Sequence, residues 1–421
     1  MSEISQLSET SRSGHLDWWR QATPEARRAL TTASFGWLLD SFDVMLYALV
    51  LASLILDLGI SKQTAGVLGS ITLLAAAAGG LAFDVIADRY GRVRALIGSV
   101  LIHALFTAAC GFAQNIVQLA LFRILLASVW LANGRAARRS YLRRGPTNSA
   151  ARRSESCRAP GPIAMLSQLW SPVSSCRGKA GAVFFVGILP SFFTLAVRRR
   201  VAESEIWKRG TALPREGPMH GFRRIFQSDL RPVTIAITLM NACTLFAWWG
   251  FNLWVPAYLS LPRDRGGIGL SAHAMSGTVI AMQAGMWLGY VSFGFLSDVF
   301  GRRRCYVLYL ISAALLMFFY ARVHTSWLLI ALGPLVAFFG TGYYTGFAAV
   351  TAEIYETRIR ATAQGFAYNA GRIASAAAPF AVGSMAQQHG FGGAFAIAGT
   401  AFVIAALCWV WIPETKGRPL A

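Results

Sequence analysis

The chain has 421 residues, of which 55% are apolar and 14% charged, with a mean hydropathy of +0.47. That balance excludes a soluble domain carrying one anchor and allows about twelve membrane-crossing helices of about 20 residues each. The net charge of +20 does not point to nucleic acid, because the arginines sit at the ends of apolar runs and in one unusual segment, with no aromatic-basic module beside them. The six cysteines share no paired spacing, so a disulfide framework, a metal site and a cofactor are all unexpected.

Residues 1–28 are polar and end in Trp18-Trp19-Arg20 and Arg27-Arg28, a basic aromatic segment suited to the cytoplasmic interface. A first span is predicted over about 33–56, and the spacing of Gly36, Asp40, Asp43 and Tyr47 puts all four on one helical face. Carboxylates inside an apolar helix are costly, so Asp40 and Asp43 form either an ion pair with another helix or a proton or substrate site. Spans two and three follow at about 65–87 and 95–112, joined by the short charged turn Asp88-Arg89-Tyr90-Gly91-Arg92. The fourth, from 116 to about 133, carries Arg123 deep in its apolar run, where a snorkelling side chain and a functional one are both possible readings.

The pattern then breaks. Residues 127–180 hold ten Lys+Arg against one Glu, with eight arginines between 134 and 158. An arginine at a helix centre costs about 2.5–3.5 kcal/mol on insertion scales, so this stretch cannot span. The one charge-free candidate, 159–176, contains Pro160, Pro162 and Pro172 and makes a poor helix. Residues 134–180 are therefore expected to be irregular or broken helix. A sixth span over 182–197 ends in Arg198-Arg199-Arg200, and 201–230 reads as a polar, basic linker.

The second half is in better order. Its first span, about 233–259, carries Asn241, Trp248, Trp249, Asn252, Trp254 and Pro256, a composition that suits either a polar organic ligand or an interfacial aromatic belt. Three more spans are predicted at about 273–297, 305–321 and 326–349. Between the first two of them, Asp298-Val299-Phe300-Gly301-Arg302-Arg303-Arg304 repeats the charged turn of the first half. The next span, about 362–385, sets Gln364, Tyr368 and Arg372 one turn apart, with Asn369 alongside. A guanidinium there donates bidentately to a carboxylate, either of a substrate or of Asp40 or Asp43. The last span precedes Pro413-Glu414-Thr415-Lys416-Gly417.

The string D-R-x-G-R, echoed half a chain later, resembles the loop motif of the major facilitator superfamily of secondary transporters, and Pro413 to Gly417 resembles its closing motif. The resemblance covers nearly everything outside 127–180. The pattern has glycine four residues before the aspartate, which Gly294 supplies in the second copy, whereas the first copy has Asp84. The string G-W-L-L-D-S-F-D at 36–43 resembles the start of the sialate and monocarboxylate proton symporters.

This resemblance implies an all-α membrane protein with nominally twelve transmembrane helices in two six-helix bundles, 1–200 and 231–421, joined by the 201–230 linker. It further implies a monomer in the inner or plasma membrane, both termini cytoplasmic, with a midplane site for a small organic anion carried with protons. In that scheme Asp40, Asp43 and Arg123 couple the proton. Arg372 holds the carboxylate, and Gln364, Tyr368, Asn369, Trp249 and Asn252 line the cavity. Asp88, Arg89, Gly91, Arg92, Gly294, Asp298, Gly301 and Arg302 form the conformational loops. No catalytic constellation is present, so an enzyme is not expected.

Two alternatives stand beside this reading: a sugar or aromatic-acid facilitator, and a non-functional frameshifted product. Read one base out of frame, 127–180 can spell G-E-W-A-G-G-A-A-L-V-S, E-Q-R-G-K-A-I-G and V-L-P-x-x-G-W, which resemble the fourth and fifth helices of this subfamily. The second string also parallels Glu356-Thr357-Arg358-Ile359-Arg360-Ala361. On that reading the fifth helix is degraded.

Overall fold

The structure is a computed structural model and describes residues 47–90, 92–142, 218–356 and 358–416. The described residues form helices and turns. In the first half these are α1 (Tyr47–Asp57), α2 (Lys62–Tyr90), α3 (Arg92–Gly111) and α4 (Ile116–Leu142). The linker ends in a short helix, α5 (Pro218–Ile225). The second half comprises α6 (Arg231–Ser260), α7 (Ala272–Phe300), α8 (Arg302–Tyr320), α9 (Ser326–Thr341), α10 (Gly346–Ile354), α11 (Arg360–Ser375) and α12 (Ala378–Leu407). Six stretches among the described residues are long and apolar enough to cross a membrane.

Local chemistry explains where several of these helices begin. Pro232 sits in the first turn of α6, where its missing N–H costs nothing. Ser271 caps α7, its hydroxyl accepting the Ala274 N–H at 3.3 Å. Within the spans the sorting is by face: on α8, Tyr309, Leu310, Ala313 and Met317 are buried, while Leu308, Leu315 and Phe319 face outward. The core of the second half is aromatic. Phe251, Tyr258, Tyr320 and Phe395 meet edge-on or tilted at 5.0–6.5 Å between ring centroids, tying α6, α8 and α12 together.

Three expectations are corrected. First, α4 does not end near 133 but continues to Leu142, so 134–142 is regular helix where broken structure was expected. Leu, Ala and Arg are good helix formers, and a helix can leave the membrane without ending there, so a ban on spanning was no ban on helicity. The remainder of the arginine-rich segment, including the fifth span, lies outside the described residues. Second, the tenth span is interrupted by a 3-10 turn, Gly342–Thr345, between α9 and α10. Third, the eleventh span is not one helix over 362–385. It breaks after Ser375 into a tight turn, with Ala377 N–H reaching back only to Ala374 O, and restarts at Ala378. Pro379 is the cause, because its ring cannot share space with the carbonyl four residues earlier. A further bend at Gly390 (φ 74°) separates the last two spans inside α12.

The two halves meet where this break lies against α2. A Cβ on Gly66 would stand 2.5 Å from the Pro379 carbonyl oxygen, so only glycine allows the approach. Phe380 N–H donates to Ser70 Oγ at 3.0 Å, and Trp254 Nε1 donates to the Pro379 carbonyl at 3.1 Å. The indole of Trp254 thus ties α6 to the first turn of the restarted helix.

Candidate functional site

Arg123 is the most deeply placed cation described, at 2% exposure on α4. Its guanidinium lies 4.2 Å from the centre of the Tyr47 ring, and Nε donates to Thr72 Oγ1 at 3.4 Å. Both partners are themselves fixed: Tyr47 OH donates to Ala65 O at 2.9 Å, and Thr72 Oγ1 donates to Leu68 O at 2.7 Å. Burying a charge costs several kcal/mol unless it is compensated. An aromatic face returns about 2 kcal/mol of that when water is excluded. The packing of α1, α2 and α4 therefore holds a permanent positive charge inside the first half. Asp40 and Asp43, on the face that Tyr47 continues, lie outside the described residues.

A second group is built on α11. Arg372 and Tyr368 are half-buried one turn apart, with the guanidinium 5.6 Å from the ring centre. Tyr368 in turn faces Phe347 of α10 at 6.2 Å. Gln364 is committed to structure: its Nε2 donates to Ala348 O at 3.1 Å and to Thr351 Oγ1 at 2.8 Å, tying α11 to α10. Asn369 Nδ2 folds back on Gly365 O at 2.7 Å. Asn252 is buried on α6, and Trp249 packs across the halves against Ala76 of α2 and Ala127 of α4. Asn241 Nδ2 donates to Ala367 O at 3.0 Å and fastens α6 to α11.

The second charged turn is fully built. Gly301 has φ 97°, a backbone angle that L side chains rarely adopt, and a Cβ there would lie 2.8 Å from Glu414 Oε2. Glu414 needs that space because its carboxylate caps the first turn of α8. Oε1 accepts from Arg302 N at 2.8 Å, and Oε2 accepts from Arg303 N at 3.1 Å. Burial alone would raise this carboxyl, but the N–H groups of Lys416, Arg302, Arg303 and Thr415 outweigh it and hold the group below the ordinary glutamate range. Arg302 pairs with Asp298 one turn back, donates to Ser297 Oγ at 2.6 Å, and reaches Glu353 at 3.2 Å. Thr415 Oγ1 donates to the other Glu353 oxygen. Gly294 lies within α7, its carbonyl accepting from Ser297 Oγ at 3.1 Å. Of the first copy, Asp88 and Arg89 close α2 and Arg92 opens α3, while Gly91 lies outside the described residues.

The opposite end carries residues that the sequence reading did not single out. Lys62 Nζ donates to Ala386 O at 3.3 Å and lies 4.8 Å from the Phe391 ring, while its backbone N–H donates to Gln387 Oε1 at 3.2 Å. The one available signal was a lone lysine opening an apolar run. Its partners, more than 320 residues away, left no trace in the local pattern.

The family model described as Major Facilitator Superfamily matches residues 33–142 and 237–421. A "Probable 4-methylmuconolactone transporter" of Cupriavidus pinatubonensis is 28% identical, over 95% of this chain and 93% of its own. The cis,cis-muconate transport protein of Acinetobacter baylyi is 28% identical over 89% and 91%, and the sialic acid transporter NanX of Escherichia coli 25% over 91% and 93%. Among solved structures, a D-xylose-proton symporter superposes with a TM-score of 0.74 at 18% identity, covering 94% of this chain and all of the other, a likeness of fold alone.

Proposed function

Because the chain belongs to the Major Facilitator Superfamily, and is therefore a multi-pass membrane transporter and not an enzyme, we propose that it carries a small organic carboxylate together with protons. The observation that carries this reading is Arg372, a half-buried guanidinium set over an aromatic ring in the eleventh span. A planar fork beside a ring donates two parallel hydrogen bonds to a carboxylate. The names of relatives that transport muconate and sialic acid support an acid as the substrate class.

In this proposal Tyr368, Trp249 and Asn252 face the substrate, and Gln364 and Asn369 hold the wall in shape. Asp40 and Asp43 exchange the proton against Arg123, which pairs with a carboxylate in one conformational state and releases it in the other. The charged turns at 88–92 and 298–304 lie at the cytoplasmic end with both termini, and the monomer works by alternating access about a midplane site.

The test is uptake of labelled cis,cis-muconate and sialic acid into proteoliposomes under an acid-outside gradient. Arg372→Lys replaces a fork with a point charge and should weaken apparent affinity by roughly tenfold or more. Asp40→Asn and Asp43→Asn should abolish accumulation but spare counterflow, which requires no net proton movement. Unchanged affinity in the first variant, or retained pH-driven accumulation in the other two, would overturn the corresponding role.

A second reading is favoured by one observation. The family match breaks off at residue 142, inside the stretch with eight arginines between 134 and 158. On this reading the chain as written lacks a sound fifth span and transports little, and restoring the shifted frame recovers both insertion and uptake. Robust uptake by the unaltered chain refutes it.

A further inference from the structure

A groove of about 1040 Å³ runs along the junction of α8 with the end of α12; it shares Gly301, Arg303, Glu414 and Lys416 with the second charged turn, and none of the groups around Arg123 or Arg372 lines it. Its walls are apolar: Val307, Leu308 and Ile311 on one side, Ala406, Leu407 and Val410 on the other. Its rim, at the charged-turn end, carries Arg303, Arg304 and Lys416. The one acid there, Glu414, is already engaged by the backbone N–H groups of α8 and of its own segment. Lys416 Nζ donates to Val299 O at 2.6 Å. The guanidinium groups of Arg303 and Arg304 are exposed and form no ion pair among the described residues.

Charge and hydrophobicity are therefore separated along one line. From Arg304 the spacing continues through Leu308, Ile311, Leu315 and Phe319, all exposed on the same face of α8. At 1.5 Å per residue that stripe runs for about 22 Å from the cationic rim toward the opposite surface, the reach of a fatty acyl chain. An apolar trough facing the bilayer, with cations where the headgroup layer lies, fits one class of molecule.

We propose that this groove binds an anionic glycerophospholipid, its phosphate held by Arg303, Arg304 and Lys416 and one acyl chain laid along α8 between the two helices. A zwitterionic lipid offers the same chain but a neutral headgroup and should not be retained. Free phosphate offers the charge without the chain and should not compete.

The full chain, purified in a neutral detergent, is incubated with phosphatidylglycerol or phosphatidylcholine, and bound lipid is counted by native mass spectrometry. One phosphatidylglycerol per chain is expected to survive, with roughly tenfold or greater loss in the Arg303→Gln, Arg304→Gln double variant. The Arg303→Lys, Arg304→Lys variant should recover most of it. Leu308→Trp fills the trough without changing charge and should also release the lipid, which keeps the proposal testable if the double variant folds poorly. Equal retention of phosphatidylcholine, retention unaffected by both the glutamine and the tryptophan variants, or displacement by millimolar inorganic phosphate each overturns it.

Discussion

The two ends of the molecule are held by opposite kinds of chemistry. At the charged-turn end, Arg302 gathers Asp298, Ser297 and Glu353, and Glu414 caps α8, so the described ties of this cluster lie within the second half. At the other end the described ties run between the halves and rest mainly on the backbone: Gly66 against Pro379, Phe380 N–H on Ser70, Lys62 on Ala386. A cluster of charges confined to one half moves as a rigid piece when the halves part. A backbone contact between halves must separate for that end to open. The first kind of chemistry preserves the shape of one half, and the second joins the two.

Mutations sharpen that contrast, and the largest effect is expected at the charged cluster. Glu353→Ala strips Arg302 of a partner at 14–16% side-chain exposure and leaves Thr415 without an acceptor. Losing one member of such a buried pair should cost about 3 kcal/mol, read as a lower midpoint of thermal unfolding. It should leave the balance between open and closed states unchanged, since no described tie of Glu353 crosses between the halves. Gly66→Val acts the other way round. Its Cβ meets the Pro379 carbonyl, and overpacking of about 1–3 kcal/mol pushes the halves apart. Cysteine placed at Gln387 should then react roughly tenfold or more faster with a membrane-impermeant maleimide. An unchanged rate would mean that this contact is not a closure.

Smaller effects follow from single ties. Asn241→Ala leaves Ala367 O without its donor and loosens α6 from α11, at a cost of about 1–2 kcal/mol. Glu414→Gln removes charge from the N-terminus of α8, a loss of about 1 kcal/mol. Its pH dependence has a definite sign. The folded carboxyl sits below its ordinary value, so the stability it adds is present above the unfolded glutamate pKa and disappears as pH falls through the folded one. Melting curves of wild type and Glu414→Gln should therefore converge in acid and separate toward neutrality. Curves that stay parallel below pH 4 would exclude the charge as the source.

Much of the fold could be read in advance because membrane helices write themselves in long apolar runs. The span expected over 233–259 is Arg231–Ser260, and the turn at 298–304 joins α7 to α8 as its glycine and arginines implied. Breaks inside spans were not legible. Pro379 and the Gly342–Thr345 turn lie inside stretches that are apolar enough on average to count as spans, and what interrupts them is backbone geometry and close packing. Side-chain engagement was hidden for the same reason. Periodicity put Gln364 on a face with Tyr368 and Arg372, but could not show that its amide is spent on Thr351. Arg123 was visible as a cation in an apolar run. The ring beneath it belongs to Tyr47, which helical spacing grouped with Asp40 and Asp43 and left without a partner of its own.

The Glu414 cap also has a consequence for how the protein is made. The carboxylate that completes the first turn of α8 lies 112 residues downstream of Arg302. A helix made before Glu414 has been translated has these first N–H groups open to water, and that end is sealed only once Glu414 arrives. A chain stopped short of Glu414 would thus leave the start of α8 uncapped, so the order of synthesis makes an early element depend on a much later one.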